Sequence, residues 1–322
     1  MKPLISVVVC THNRVDYLIN SLNGIIKQSL PVEKFEILIV DNASTDKTQE
    51  VINLKLTDVM NLRYLHEPKL GLNHARNTGW KKSIGDYVTY LDDDAIPDKH
   101  WLFNIYQFIL DHPNVIIVGG TVLPVWSVEP PSWLGKDLYP YLSICDYIGD
   151  DNGFILDFPI QYPVGANITF SRSVLKKMRG FKKQLDRKGN ILLSGGETEL
   201  NYRIQKENYP TWFCPKAIVY HHIPPKRCSK KYFRSISYWA GRSAALVDHE
   251  VFQKNYHIVI IRRILSRLSK NLIRSIIFCL FVRKNSFELE IYIREVIGYI
   301  HQGFRILLKT HEVSQINSKL PL

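Results

Sequence analysis

The chain has no run of about 20 uninterrupted apolar residues, the length a helix needs to cross a bilayer, anywhere in its 322 residues. Its opening, MKPLISVVVCTHNR, carries an apolar run of only strand length and no small-residue cleavage site, so no secretory leader is expected. Cysteine is scarce and scattered: Cys10, Cys145, Cys214, Cys228 and Cys279 are odd in number and form no Cys-x-x-Cys pair. That argues against a disulfide framework or a structural zinc site and favours a reducing compartment. Acidic residues are in deficit, 30 against 42 basic, for a formal charge of +12. Such a surplus suits a polyanionic partner, and nucleic acid, anionic lipid headgroups and phosphorylated small molecules all qualify. A cytoplasmic protein, able to sit peripherally on the cytoplasmic face of a membrane, is the expectation.

With 45% hydrophobic and 22% charged residues the composition is that of an ordinary globular protein, long enough for a large α/β domain and an appendage. Residues 4–10 are a β-branched run of the kind buried in a parallel sheet, ending in the polar cluster Thr11-His12-Asn13-Arg14. Val15, Leu18, Ile19, Leu22, Ile25 and Ile26 then fall on one helix face. A second apolar run, residues 35–40, ends at Asp41-Asn42-Ala43-Ser44, which completes a βαβ unit. Residues 61–65 give a third strand, 71–84 a helix and 86–91 a fourth strand. Ligands of open α/β sheets bind outside the carboxyl ends of the strands, so Thr11, Asp41 and the run Asp92-Asp93-Asp94 are expected in one crevice. Residues 115–157, rich in Pro, Trp and Tyr, read as strand and loop insertions. Further strands are expected at 165–170 and 211–220, with helices at 171–178 and 197–206.

Three adjacent carboxylates repel one another unless a cation or hydrogen-bond donors neutralise them. Oxygen ligation suits Mg²⁺ or Mn²⁺. On a strand or tight turn Asp92 and Asp94 share a face and Asp93 points away, which makes Asp92 and Asp94 the metal-facing pair. Taken alone, an acidic triplet before a proline is more often a solvated turn.

The segments SVVVCTHNR, ILIVDNASTDKT, GLNHARNTGWKKSIGDYVTYLDDDAIPD and GGETELNYRI follow one another in an order and spacing that resembles family 2 glycosyltransferases. The likeness covers about residues 5–222. It implies the GT-A fold, a Rossmann-like, mostly parallel central sheet flanked by helices, here with a C-terminal helical extension. After Pro224-Pro225 the composition shifts to basic helical segments, which places a boundary between a catalytic domain at 1–225 (a nucleotide-sugar half to about 98, an acceptor half after it) and a basic, mainly helical region at 226–322.

The same resemblance implies roles. Thr11, Asn13 and Arg14 would hold the donor nucleotide, Asp41 would accept from a uracil N–H, and Arg76 would lie near the nucleotide or pyrophosphate. Asp92 and Asp93 would contact the donor, the particular role of Asp93 being left open, and Asp92 and Asp94 would hold Mn²⁺ or Mg²⁺, which acts as a Lewis acid toward the leaving diphosphate. His221 or His222 resembles a histidine that completes the metal site, and strand alternation allows only one of the two to do so. Aligning Glu199-Leu200 with the family's acid-leucine pair puts Glu197 at the base position and Gly196 where a glutamate is usual. Glu197 is therefore the base expected by resemblance, with Glu199 the alternative. The implied reaction is inverting transfer from a nucleoside-diphosphate sugar, UDP by the match at Asp41, to a glycan or lipid-linked glycan hydroxyl. A catalytically impaired relative and a non-enzymatic polyanion binder are the competing classes. No nucleic-acid partner is expected, and the oligomeric state is open.

Trp126, Trp133, Tyr139, Tyr141 and Tyr147 can stack on sugar rings or pack within an insertion. Near the C-terminus, Ile264, Leu265, Leu268, Leu272 and Ile276 share a helix face with Arg263, Arg267 and Lys270 off it. This basic amphipathic pattern suits an anionic membrane surface or an internal helical contact.

Overall fold

The computed structural model describes residues 2–186, 192–266 and 286–317. They divide into two compact units. The first comprises Met1–Pro130, Leu142–Gln184 and Gly196–Pro225, and the second Pro131–Tyr141, Leu185–Gly195 and Lys226–Leu322.

The first unit is built on a nine-stranded sheet. Strands β1 (Ile5–Thr11), β2 (Phe35–Asp41), β3 (Leu62–His66) and β4 (Tyr87–Asp92) run parallel in the order β3-β2-β1-β4. Their β-branched residues suit a surface covered on both faces. Alternation along β1 decides which face receives what: Ile5, Val7 and Val9 join one core, Val8 the other. The first core takes Leu18, Leu22 and Ile25 of α1 (Val15–Ile26), Ile52 of α2 (Thr48–Leu56) and Trp101, Ile105 and Phe108 of α4 (Trp101–Asp111). The second takes Ala75 of α3 (Leu72–Lys82), Val174 and Leu175 of α5 (Arg172–Lys177), and Leu200 and Ile204 of α6 (Gly196–Gln205).

Beyond β4 the sheet changes character. It continues through β8 (Asn167–Ser171), β6 (Ile117–Trp126), β9 (Thr211–Ile223) and β5 (Ala95–Pro97), with β7 (Phe154–Ile155) also on β9. β8 is antiparallel to β4, and β5 is antiparallel to β9. No strand was expected at residues 95–97, where three residues ending in proline read as a turn. β9 also runs three residues past its expected end and carries both His221 and His222.

In the second unit α7 (Lys230–Phe252) packs against α8 (Ser286–Asn317). They meet backbone to backbone: a Cβ at Gly241 would collide with the Glu295 carbonyl, and one at Gly298 with that of Tyr238. Trp133 sits edge-on to Phe233 and Phe287, at 5.4 and 4.7 Å between ring centroids. The Tyr141 hydroxyl donates to Glu295 and the Ser194 N–H to Ser243 Oγ, so both inserted segments are fastened to this helix pair. Trp133 and Tyr141 are thus spent on packing, as is Tyr147, which lies against Phe213 in the first unit. Residues 256–266 are helical and include Ile264 and Leu265. Leu268, Leu272, Ile276, Arg267 and Lys270 of the expected amphipathic face, and Cys279, lie outside the described residues. The other four cysteines are free thiols. Among the described residues no helix is long and apolar enough to cross a membrane.

Candidate active site

Thr11, Asp41 and Asp92 are the last residues of β1, β2 and β4, and the parallel register aligns Thr11 with Asp41 and Cys10 with Asp92. After Asp92 the chain turns through Asp93 and Asp94 and enters β5, whose first residue, Ala95, is the register partner of His221. That pairing brings His221 Nε2 to 3.2 Å from Asp94 Oδ1. Asp92, Asp94 and His221 each present a ligand atom, all within 4.8 Å of one another. His222 alternates away: its Nε2 lies 2.7 Å from Ser127 Oγ and its ring 5.2 Å from that of Tyr17. Sequence alternation left the choice between the two histidines open because it depends on β5.

Asp93 does not point away into solvent. Its carboxylate is buried, with Oδ2 accepting from Thr11 Oγ1 at 2.8 Å and Oδ1 from Arg14 Nη1 at 2.6 Å. The same guanidinium donates through Nη2 to Asp94 Oδ2 at 2.7 Å. Asp93 lies outside the trio of Asp92, Asp94 and His221, as alternation expects, but its carboxylate is bonded to the end of β1 and to Arg14. Burial pushes its pKa up to about 7, against the pull of Arg14. Burial works against the charge on Arg14 as well, yet Asp93 and Asp94 hold its pKa above the ordinary arginine range.

On the other side of Asp92, Arg76 of α3 is buried, with Nη1 3.0 Å from Glu197 Oε2 and Nη2 3.9 Å from Asp92 Oδ1. Burial alone would depress its pKa, but Glu197 and Asp92 raise it. Gly165 flanks this pair: a Cβ there would collide with Arg76 Nη2 and lie 2.9 Å from Glu197 Oε1. Sequence reasoning missed Gly165, which no motif marks. Glu197 stands in the first turn of α6 with 21% of its side chain exposed. Glu199, two residues on, is fully buried and accepts from Arg203 through both oxygens, at 2.7 and 2.8 Å. Arg203 also caps the Gly180 carbonyl at 2.7 Å.

Asp41 is buried with Oδ1 accepting from the Ser44 N–H and Oδ2 from the Tyr64 hydroxyl. A carboxylate has about four lone-pair positions, so two remain. Asn13, at φ +54°, accepts from the Thr45 N–H at 2.7 Å, and Asn42 donates to the Glu67 and Lys69 carbonyls while accepting from the Gly71 N–H. These two amides lace together the loops after β1, β2 and β3. Asn42 escaped the sequence reading because its partners are all backbone groups distant in the chain.

Residues 6–179 match the family described as glycosyl transferase family 2. The chain is 36% identical over 234 residues to glycosyltransferase AglE of Haloferax volcanii, covering 72% of this chain and 71% of that one. It is 26% identical over 251 residues to the glucosyl-dolichyl phosphate glucuronosyltransferase of the same organism, covering 76% and 77%. Among solved structures it resembles the mannosyltransferase PcManGT of Pyrobaculum calidifontis in complex with GDP-Man and Mn²⁺, with a TM-score of 0.60 and 17% identity over 94% of this chain and 88% of that one. That likeness is one of fold and supports the GT-A architecture. The ordered strand-end acids, the sequence match and the fold agree: this chain belongs to glycosyl transferase family 2 and is a glycosyltransferase.

Proposed function

We propose that the protein is an inverting, metal-dependent glycosyltransferase that moves a sugar from a UDP-sugar to a hydroxyl of a lipid-linked glycan. The observation that carries this is the guanidinium of Arg76, which touches Glu197 on one side and approaches Asp92 on the other. It sets a solvent-accessible carboxylate beside the strand-end acids.

Glu197 takes the proton of the acceptor hydroxyl, whose oxygen forms a bond to the anomeric carbon as the bond from that carbon to the diphosphate breaks. The nucleoside diphosphate leaves with the bonding electrons. Arg76 holds Glu197 Oε2 at 3.0 Å beside Asp92, and its guanidinium places a positive charge next to the diphosphate's end of the crevice. Asp92, Asp94 and His221 would hold the divalent ion. Two carboxylates and one imidazole fit Mn²⁺ better than Mg²⁺, which favours oxygen alone. Such an ion supplies neutralisation of charge on the departing diphosphate. Asp41 accepts from the uracil ring with its remaining lone pairs, and Thr11 and Asn13 shape the nucleotide cleft. Glu199 is already committed to Arg203, which favours Glu197 as the base.

The relative that acts on a glucosyl-dolichyl phosphate suggests a lipid-linked acceptor. On α8, Ile293, Ile297, Phe304 and Leu308 form an exposed apolar stripe, 41% to 65% exposed, while Ile291, Val296, Tyr299 and Ile306 are buried. Arg305 borders the stripe at helical spacing, next to Arg294, which also holds Glu290. An apolar face edged by basic residues fits an anionic lipid surface. Binding to phosphatidylglycerol vesicles, lost in a Phe304→Ser/Leu308→Ser protein and absent with phosphatidylcholine vesicles, checks this assignment.

A screen of nucleotide-sugars reading nucleotide release, with Mn²⁺ and a lipid extract as acceptor, tests the reaction. Nuclear magnetic resonance of the product should show the anomeric configuration opposite to the donor's. A product of unchanged configuration refutes the single-displacement mechanism.

A further inference from the structure

The acidic cluster is supplied with an internal cation. Asp92, Asp93, Asp94 and Glu197 stand against two guanidiniums, Arg14 and Arg76, so acidic groups outnumber basic ones at the site. The two arginines are placed differently. Arg76 is fully enclosed and approaches Asp92 only at 3.9 Å, whereas Arg14 is one-third exposed and is bonded directly to Asp94, a member of the trio with metal-ligand geometry. Arg14 forks: one nitrogen holds Asp94 and the other holds Asp93, which lies outside the trio. Its guanidinium carbon also lies 4.7 Å from the centre of the Tyr17 ring, a favourable seat for a cation.

We propose that Arg14 stands in for the divalent ion as the cationic partner of Asp94 Oδ2 when the site is empty, and that metal binding is an exchange in which this oxygen passes from Arg14 to the ion while Asp93 and Tyr17 retain the guanidinium. The inference rests on Asp92, Asp94 and His221 being the metal ligands. It gives Asp93 a function: it is the tether that keeps Arg14 at the edge of the site in both states. Without such an occupant, three adjacent carboxylates would be left to repel one another in a largely buried turn. The cost is affinity, since the ion must displace a charge-assisted hydrogen bond before it gains its own contacts. Arg14 is thereby a positioning residue that sets how tightly the empty enzyme holds metal.

The test is Mn²⁺ binding to the full chain without nucleotide, read by electron paramagnetic resonance, together with the rise in melting temperature on adding Mn²⁺. Arg14→Gln should bind Mn²⁺ about tenfold or more tightly than wild type, the scale set by one charge-assisted hydrogen bond. It should also melt lower without metal and gain more from it. Arg14→Lys, a point charge without the fork, should fall between the two. Asp94→Ala reports on the underlying assignment: if it leaves Mn²⁺ binding intact, the ligand set is wrong. If Asp94→Ala abolishes binding but Arg14→Gln leaves the Kd unchanged or weaker, the ligand set stands and the exchange is overturned.

Discussion

Ala95 and His221 are register partners in the antiparallel pairing of β5 with β9. Through that pairing a histidine 127 positions further along the chain reaches the carboxylate of Asp94. The acids arrive on β4, the imidazole on β9, and a three-residue strand joins them. His221→Gln should therefore weaken Mn²⁺ binding by at least about tenfold, the scale of losing even an outer partner of a metal site. His222→Gln, whose ring serves Ser127 and Tyr17, should bind Mn²⁺ as wild type does. Equal losses in the two proteins would contradict the geometry.

The two glutamates of α6 should separate in the same way, one by rate and the other by stability. Glu197→Gln is expected to lower kcat by about 10² to 10⁴, the usual contribution of a positioned base, with the donor Kd nearly unchanged. Replacing Arg203 by Met leaves Glu199 charged and buried without its partner, at a cost of about 3 to 5 kcal/mol. Urea unfolding of both proteins alongside single-turnover kinetics measures the two effects.

Gly165 offers a sharper check on the link between Arg76 and Glu197. The nearest atoms the methyl group of Gly165→Ala would meet are the ends of two side chains, so folding should survive while the base is moved. We expect kcat to fall by about 10² with a melting temperature close to wild type, consistent with the sensitivity of transfer to misplacement by about 1 Å. A drop in stability with unaltered kcat would mean that the contact is structural.

In the second unit Glu290 accepts from Arg234 and Arg294, and these bonds hold its pKa down at about 2. The folded value is depressed below the unfolded one, so the stabilisation is present above about pH 4.5 and is lost as pH falls toward 2. Melting curves between pH 5 and 2 should fall more steeply for wild type than for Glu290→Gln, and the two should converge at the acid end.

Much of the first unit was legible because its order is local. The runs at Ile5–Thr11 and Phe35–Asp41 are short, buried and rich in Val and Ile, and the spacing of Leu18, Leu22 and Ile25 is that of one helix face. What escaped depends on partners far away in the chain. β5 has too few residues and a proline, and only β9 makes it a strand. Alternation set Asp93 apart from Asp92 and Asp94 but could not show what it binds, since its partners Thr11 and Arg14 lie some 80 residues earlier. The family resemblance brought Glu197 and Glu199 forward together, and Arg203, four residues after Glu199, is what distinguishes them.

Trp133 belongs to a loop that follows β6, yet its aromatic neighbours Phe233 and Phe287 are contributed by the last third of the chain. A chain ended after Pro225 would strip the indole of both rings and Tyr141 of Glu295. The C-terminal helices are therefore not a detachable cassette. Recombination between relatives that exchanged them at residue 225 would have to carry Pro131–Tyr141 and Leu185–Gly195 along, so these three stretches should change together as such enzymes diverge.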